Sequence, residues 1–278
     1  MPVVKKILFP VDFSKSCIDA ARYVRAFAGQ FRAETMLLHV VDAGNYHYPE
    51  VAQPHLQRDL DTFVFEEFRD FPTLSNCIMG TTETEIVETA RSWRSDLIMM
   101  PTHGLGRYRR LLLGSITAKV LHDVECPVWT DVHSQEAPTP ARIPCKKVLC
   151  ALDLRDRSRA VLEWAGWLAR EHDAELRIVH ALPLVETTLL GKYLDREVAG
   201  SRAAEARTRI AELQGAAGTS ASVDMTQGKV SEVVACAANA WSADLLVIGR
   251  HNGSGLAGHL RQNAYSIIGE SPCPVLGI

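Results

Sequence analysis

Four blocks of this sequence occur twice in the same order, and that repeat limits the fold more than any other feature. KKILFPVDFSKS (Lys5–Ser16) returns as KKVLCALDLRDR (Lys146–Arg157), and AETMLLHVV (Ala33–Val41) returns as AELRIVHAL (Ala174–Leu182). Asp12 thereby falls on Asp153 and His39 on His180, each pair 141 positions apart. SDLIMMPTHG (Ser95–Gly104) matches ADLLVIGRHN (Ala243–Asn252) with Asp96 on Asp244, now 148 apart, so the second copy holds seven more residues before this block. ECPVWT and SPCPVLGI close the two copies, with Cys126 on Cys273 and Pro127 on Pro274. A chain of 278 residues suits two domains of ordinary size. Between the copies VHSQEAPTPARIP (Val132–Pro144) carries three prolines, is polar and has no periodicity, which is linker composition. The expected organisation is a first domain at 1–133, a linker at 134–143 and a second domain at 144–278.

Each copy alternates short apolar runs with longer amphipathic ones. In the first, ILFPV precedes CIDAARYVRAFAGQF, where Ile18, Ala21, Val24, Ala28 and Phe31 recur every three or four residues. That spacing predicts a helix with one buried face, and Ser16 with Asp19 three residues later is its expected N-cap. The remainder reads as strand TMLLHVV, a helical stretch near Leu56–Phe68, a short strand near Cys77–Met79, a helix Thr84–Trp93, strand DLIMM, a glycine-containing loop, a helix Ser115–His122 and strand PVWT. In the second copy, Val161, Leu162, Ala165, Leu168 and Ala169 share one helix face, and Thr187–Gln214 reads as a long, mostly solvated helix. Strands that are apolar throughout belong to a parallel sheet covered on both faces. The fold class is therefore α/β, as two tandem doubly wound parallel-sheet sandwiches with right-handed crossovers. Such sheets take ligands outside the carboxyl ends of the strands, where the strand order reverses.

Composition narrows the partners. The net charge is −3, with 47% apolar and 23% charged residues, so no basic excess points to nucleic acid or to an anionic membrane. The N-terminal MPVVKKILFPVDF lacks the apolar core of a signal peptide, and no run approaches a bilayer span, which leads us to expect a cytosolic protein. Seven cysteines without a C-x-x-C pair read as buried, reduced thiols. The five tryptophans read as packing residues.

One loop carries chemistry. PTHGLGRYRRLLLGSITAKVL follows the fourth strand, and nine residues separate Gly104 from Gly114. Gly104 lets the backbone approach a ligand closely. The helix opening at Ser115 offers unpaired N–H groups and a positive dipole end, which suit a phosphate. The Ser115 hydroxyl adds a donor, and Arg107, Arg109 and Arg110 supply charge, unless they form only a solvated loop.

This stretch resembles the G-x-x-G-x(9)-G-[ST] signature of the ATP-binding universal stress protein family. The V-D near the start, LLHVV, the Gly80–Ile86 stretch, THG, LLLGS and CPV resemble that family too. The scaffold resemblance extends through the second copy. It implies a Rossmann-like, adenine nucleotide alpha hydrolase-like sheet of order 3-2-1-4-5, which sets Asp12 beside the loop. Carried over residue by residue, Val11 and Asp12 lie near an adenosine, Val41 lines the adenine pocket, and Gly104, Gly114 and Ser115 hold the phosphates. Pro101, His103, Arg107 and Ile116 complete the candidate set. The implied ligand is ATP, with Mg²⁺ as an accompanying ion. Pro101 departs from the pattern, because it stands where the first glycine belongs and lacks both an N–H and access to positive φ. In the second copy Gly249 keeps that first glycine, while Asn252 and Gln262-Asn263 replace the rest, so no ATP site of the usual kind is expected there. The family's habit of pairing domains through their last strands implies an intramolecular pairing through PVWT and PVLGI, and a homodimer remains an open alternative.

GSGLAG (Gly253–Gly258) matches G-x-G-x-x-G in letters but follows the fourth strand of its copy rather than the first, so it reads as a loop. His259 stands where a Walker lysine is required. His39, His103, His180 and His251 read as hydrogen-bonded structural residues rather than metal ligands, since no carboxylate or thiolate joins them at ligand spacing. The leading functional expectation is a stress-response or regulatory protein that binds an adenine nucleotide in the first domain, has no catalytic residues, and is read by a protein partner the sequence does not name. The alternatives are a slow ATPase on the same fold and a nucleotide-independent interaction module.

Overall fold

A computed structural model describes residues 2–42, 44, 48–102, 113–131, 143, 145–183, 192–250 and 258–278. The chain divides into two compact units, one built on Val3–Pro144 and the other on Cys145–Leu276.

The first unit runs β1 (Lys6–Pro10), α1 (Lys15–Phe31), β2 (Glu34–Val41), α2 (Pro49–Phe68), β3 (Thr73–Met79), α3 (Thr82–Ser92), β4 (Leu97–Pro101), α4 (Ser115–Asp123) and β5 (Val128–Asp131). Its strand order is β3-β2-β1-β4-β5, as the resemblance implied. All its described pairings are parallel: Lys6 opposes Glu34 between β1 and β2, Ile7 opposes Leu97 between β1 and β4, and Ile98 opposes Val128 between β4 and β5. The second unit runs β6 (Lys147–Ala151), α5 (Ser158–His172), β7 (Glu175–Leu182), α6 (Lys192–Ala217), β8 (Ser222–Gln227), α7 (Val230–Trp241), β9 (Leu245–Ile248), α8 (Gly258–Glu270) and β10 (Val275–Gly277), with order β8-β7-β6-β9-β10.

The central strands are buried on both faces, with Ile7, Leu8, Phe9, Leu97 and Ile98 at no measurable exposure. The expectation of uniformly apolar strands fails at the edges. β3 is longer than the expected Cys77–Met79, and it alternates, leaving Leu74 and Met79 exposed. An edge strand has a neighbour on one side only, and its other side must be covered. Helix α2 supplies part of that cover: Gln57 accepts the Cys77 N–H at 2.9 Å, and Gln53 donates to the Cys77 carbonyl at 2.7 Å. To reach these groups α2 starts well before Leu56, with Pro49 in its first turn and Pro54 inside it.

Helix α1 is capped by Ser14, not Ser16: its hydroxyl oxygen accepts the Cys17 N–H at 3.1 Å. The buried stripe runs through Cys17, Ala20, Ala21, Val24, Phe27 and Ala28. Ile18 lies roughly 120° around the helix from Val24 and is 38% exposed, so it does not belong to the buried face. Phe31, in the last position of α1, is half-buried. The α5 face falls as expected, with Val161, Leu162, Ala165, Leu168 and Ala169 all buried. Of the long helix expected at Thr187–Gln214, the described part is α6, and positions 187–191 lie outside the described residues.

A repeated clamp explains the twin lysines and the aspartate that recur in both copies. Asp96 accepts the backbone N–H groups of Lys5 and Lys6 at 2.8 and 2.9 Å, tying the start of β1 to the start of β4. Asp244 does the same for Lys146 and Lys147 at 2.7 and 2.9 Å. The side chains of Lys6 and Lys147 lie over the Trp93 and Trp241 rings and donate to those residues' own carbonyls.

Five cysteines are buried, but Cys236 is exposed and Cys126 half-buried, because they fall off the core-facing sides of their segments. Trp129 and Trp167 are buried packing residues. Among the described residues no helix is long and apolar enough to cross a membrane.

Candidate functional site

The carboxyl end of β1 turns sharply in both copies. Asp12 Oδ1 accepts the Ser14 N–H at 3.0 Å, and Asp153 Oδ1 accepts the Arg155 N–H at 3.0 Å. The residue between, Phe13 or Leu154, is held at φ 57° or 61°, a conformation that bulky side chains seldom adopt. One oxygen of each aspartate is thus committed to the turn. Asp12 is half-buried, and Asp153 also accepts the Ser158 hydroxyl at 2.9 Å. A second repeated bond holds the turn from behind: the Nδ1 of His39 meets the Val11 carbonyl at 2.7 Å, and that of His180 meets the Leu152 carbonyl at 2.7 Å. A carbonyl only accepts, so Nδ1 carries the proton in each ring. In the first copy the Phe13 ring packs on His39 at 4.8 Å and on Phe63 at 6.2 Å between ring centres.

On the neighbouring strand, Pro101 ends β4 opposite Asp131, and its carbonyl accepts the Thr117 hydroxyl at 3.2 Å. Its backbone is not in the positive-φ region, so the proline meets no conformational obstacle there. The Thr102 carbonyl accepts the Gly114 N–H at 3.0 Å, which pins the start of α4 to the end of β4. Gly114 is the N-cap residue, with φ −60°, and no side chain caps the helix. The Ser115 and Ile116 side chains are exposed in the first turn. His103, Gly104 and Arg107 lie outside the described residues.

The described candidates therefore gather at one end of the sheet. Val11 and Asp12 leave β1, Val41 ends β2, Pro101 ends β4, and Gly114, Ser115 and Ile116 open α4, which follows β4 and lies at the reversal of strand order. Val41 is fully buried, and its carbonyl accepts the Gly80 N–H at 3.2 Å. Among the described residues no group of three His, Cys, Asp or Glu side chains converges to hold a metal.

The second copy differs where α4 has its counterpart. Gln262 and Asn263 match Gly114 and Ser115, but α8 begins at Gly258, so both lie inside a helix that starts earlier. Backbone N–H groups that are free at the start of a helix are spent on intrahelical bonds once a further turn precedes them. Asn252 and His251 lie outside the described residues. At the carboxyl ends of β6, β7 and β9 lies a cavity of about 830 Å³, lined by Leu152, Asp153, Arg155, Ile248, Gly249 and Asn263 among others. Sequence reasoning did not foresee this cavity.

Comparison with known proteins bears on the whole chain. The sequence profile of the universal stress protein family matches residues 4–131 and again 144–278. Universal stress protein MJ0577 of Methanocaldococcus jannaschii is 27% identical over 149 residues, spanning 45% of this chain and 92% of its own length. Universal stress protein MJ0531 of the same organism is 31% identical over 136 residues, spanning 45% and 79%. The crystal structure of a universal stress protein from Archaeoglobus fulgidus covers 98% of this chain and 95% of its own with a TM-score of 0.71, and at 19% identity it shows a shared fold. Two profile matches in tandem, on two units with the same strand order, establish that the chain belongs to the universal stress protein family as a member with two family domains.

Proposed function

We propose that the first domain binds an adenine nucleotide, ATP in particular, as a stress-response or regulatory element without robust catalysis. The observation that carries this reading is the uncapped start of α4 at the reversal of strand order, beside the Asp12 turn. Its first-turn N–H groups and dipole favour an anion, and the absence of a side chain at Gly114 leaves the approach open. Ser115 adds a hydroxyl. The Gly114 N–H is already bonded to Thr102, so the donors left for phosphate are those of Ser115 and the residues after it. Mg²⁺ would arrive held by the phosphates, since no carboxylate cluster among the described residues would hold it alone. Gly104 belongs to this proposal through the family signature, and His103 and Arg107 through their place beside it in the sequence.

The test is calorimetric titration of Mg-ATP into the intact chain beside a Gly114→Gln variant, which copies the second domain's residue at that position. Binding near one site per chain that the variant loses supports the reading. Absence of binding in both proteins leaves the interaction module, and two sites per chain would mean that the second domain binds as well. Phosphate release measured on the same samples separates a binding protein from a slow ATPase.

A further inference from the structure

The amino ends of β4 and β5, across the sheet from the nucleotide site, hold a different set of groups. A cavity of about 230 Å³ lies there between the ends of α3 and α4, bordered by Arg91, Arg94, Ser95, Asp123, Glu125 and Cys126 among others. Cys126 is half-buried and is not in a disulfide. Arg91, Arg94 and Glu125 are exposed, and none of the three has an ion pair among the described residues, which include every residue within four positions of each. Asp123 is already held by Lys119 at 2.7 Å and by His122. Ser95 is 8% exposed, and its hydroxyl has no hydrogen-bond partner among the described residues. Buried hydroxyls of this kind are rare, and a polar group entering the cavity would satisfy it.

The second copy keeps the scaffold and drops the chemistry. Asn239, Ser242, Ala243 and Pro272 match Arg91, Arg94, Ser95 and Glu125. Arg94 and Ser242 share a left-handed backbone, with φ 56° and 54°, so that turn belongs to the fold, while the guanidinium belongs to the first copy alone. Cys273, which matches Cys126, is buried, with its Sγ 3.7 Å from the Ser271 hydroxyl.

Charges of both signs on one small wall do not suit a simple anion. They suit a zwitterion, whose carboxylate a guanidinium takes and whose ammonium a carboxylate takes. The volume is below the roughly 300–1,000 Å³ of sites that hold drug-sized molecules, which limits the guest to amino-acid size. A thiol on the same wall adds a covalent anchor for a sulfur-bearing guest.

We propose that Cys126 is a modification site that forms a mixed disulfide with cysteine, the carboxylate of the added half lying on Arg91 and Arg94 and its ammonium on Glu125. The step is thiol–disulfide exchange with cystine. The Cys126 thiolate attacks one cystine sulfur, the cystine S–S bond breaks as the new S–S bond forms, and the other half departs as cysteine thiolate, which regains the proton that Cys126 gave to solvent. Cys126 is oxidised and the departing half reduced, so cystine is the only co-reactant. The site does not depend on the nucleotide reading.

Three disulfides test the idea on the intact chain, with each cysteine followed by peptide mass spectrometry: cystine, cystamine, which lacks the carboxylate, and 2-hydroxyethyl disulfide, which is neutral. With the neutral disulfide, exposed Cys236 should react ahead of Cys126. With cystine, the rate at Cys126 relative to Cys236 should rise about fivefold, the scale of an exposed charge pair. Arg91→Gln combined with Arg94→Gln should remove that rise, leave the neutral disulfide within about twofold and not slow cystamine. Glu125→Gln should slow cystine and cystamine but not the neutral disulfide. Near-UV circular dichroism unchanged from the parent protein verifies folding, and if the double variant fails this check, high salt should remove the same rise in the parent protein. No rise with cystine, or a rise that the folded arginine variant or high salt leaves intact, would overturn the site. Equal slowing of all three disulfides in the arginine variant would show that the guanidiniums act on the thiol and not on the added half, and would overturn the assignment of the guest.

Discussion

The Nδ1 of His39 donates to the carbonyl of Val11 across 2.7 Å, joining the end of β2 to the residue that leads into the Asp12 turn. His39 is 8% exposed, so water cannot replace it readily. His39→Leu leaves a buried carbonyl without its partner and should lower stability by about 1–3 kcal/mol. His180→Leu breaks the equivalent bond at a half-buried site and should cost less. Urea titrations of the two variants check both the size and the order of the losses.

Asp12 acts in the turn as a hydrogen-bond acceptor, and that role does not require charge. Asp12→Asn keeps an acceptor for the Ser14 N–H and should hold stability within about 0.5 kcal/mol of the parent. Asp12→Ala removes it while Phe13 must still hold φ 57°, and should cost about 1 kcal/mol or more. If nucleotide binding depends on the turn alone, Asn preserves it. If it uses the carboxylate, affinity falls in both variants, and calorimetry distinguishes the two outcomes.

Removing the Asp96 clamp should be more damaging than removing a surface ion pair. Its carboxylate accepts two backbone N–H groups at the start of β1, so Asp96→Ala is expected to destabilise by about 2–3 kcal/mol. Arg159→Ala, which breaks an exposed pair with Glu163 at 2.8 Å, should change stability by less than about 0.5 kcal/mol. Chemical denaturation of both variants side by side is the measurement.

Burial, above all other causes, pushes the Cys17 and Cys145 thiols up to about 12 and the Cys273 thiol up to about 11, from an ordinary value of 9.0. In the unfolded chain these thiols ionise near 9.0, while in the folded chain they keep their protons. The unfolded state then binds fewer protons, so stability is full below about pH 9 and falls as pH rises toward 12. Unfolding free energies at pH 8 and at pH 10.5 should show the loss, and Cys17→Ala should flatten the slope. At pH 8 a disulfide reagent should modify Cys236 quickly, Cys126 more slowly, and the five buried thiols only on unfolding.

Nucleotide binding by the native state alone would also stabilise the protein. ATP at 100 times its dissociation constant should add about 2.7 kcal/mol to the stability of the first domain. Gly114→Gln should abolish that gain. Thermal scans at several ATP concentrations read it directly.

Much of this molecule was legible in advance because duplication writes the same constraints twice. The paired blocks located β1, β2, β4 and β5 and their counterparts, and the periodicity of Val161 through Ala169 located the buried face of α5. Weaker local signals misled. Ser16 with Asp19 has the cap spacing, but the role falls to Ser14, whose hydroxyl accepts the Cys17 N–H. Ile18 fits a three-to-four spacing as well as Cys17 does, but the stripe is set by what α1 lies against. The full extent of β3 was missed because an edge strand needs polar residues on its open side, which weakens the apolar run.

The sequence by itself determined the duplication, the α/β class, the family and the glycine-serine step at 114–115, because each rests on residue types at fixed spacing. Tertiary structure decided where helices begin, and that governs which backbone N–H groups remain free for a ligand. It decided that Val41 is fully buried, and that Gln262 and Asn263 lie inside a helix that begins at Gly258. Those outcomes depend on how side chains from distant parts of a domain fill the same volume, and no spacing along the chain encodes that.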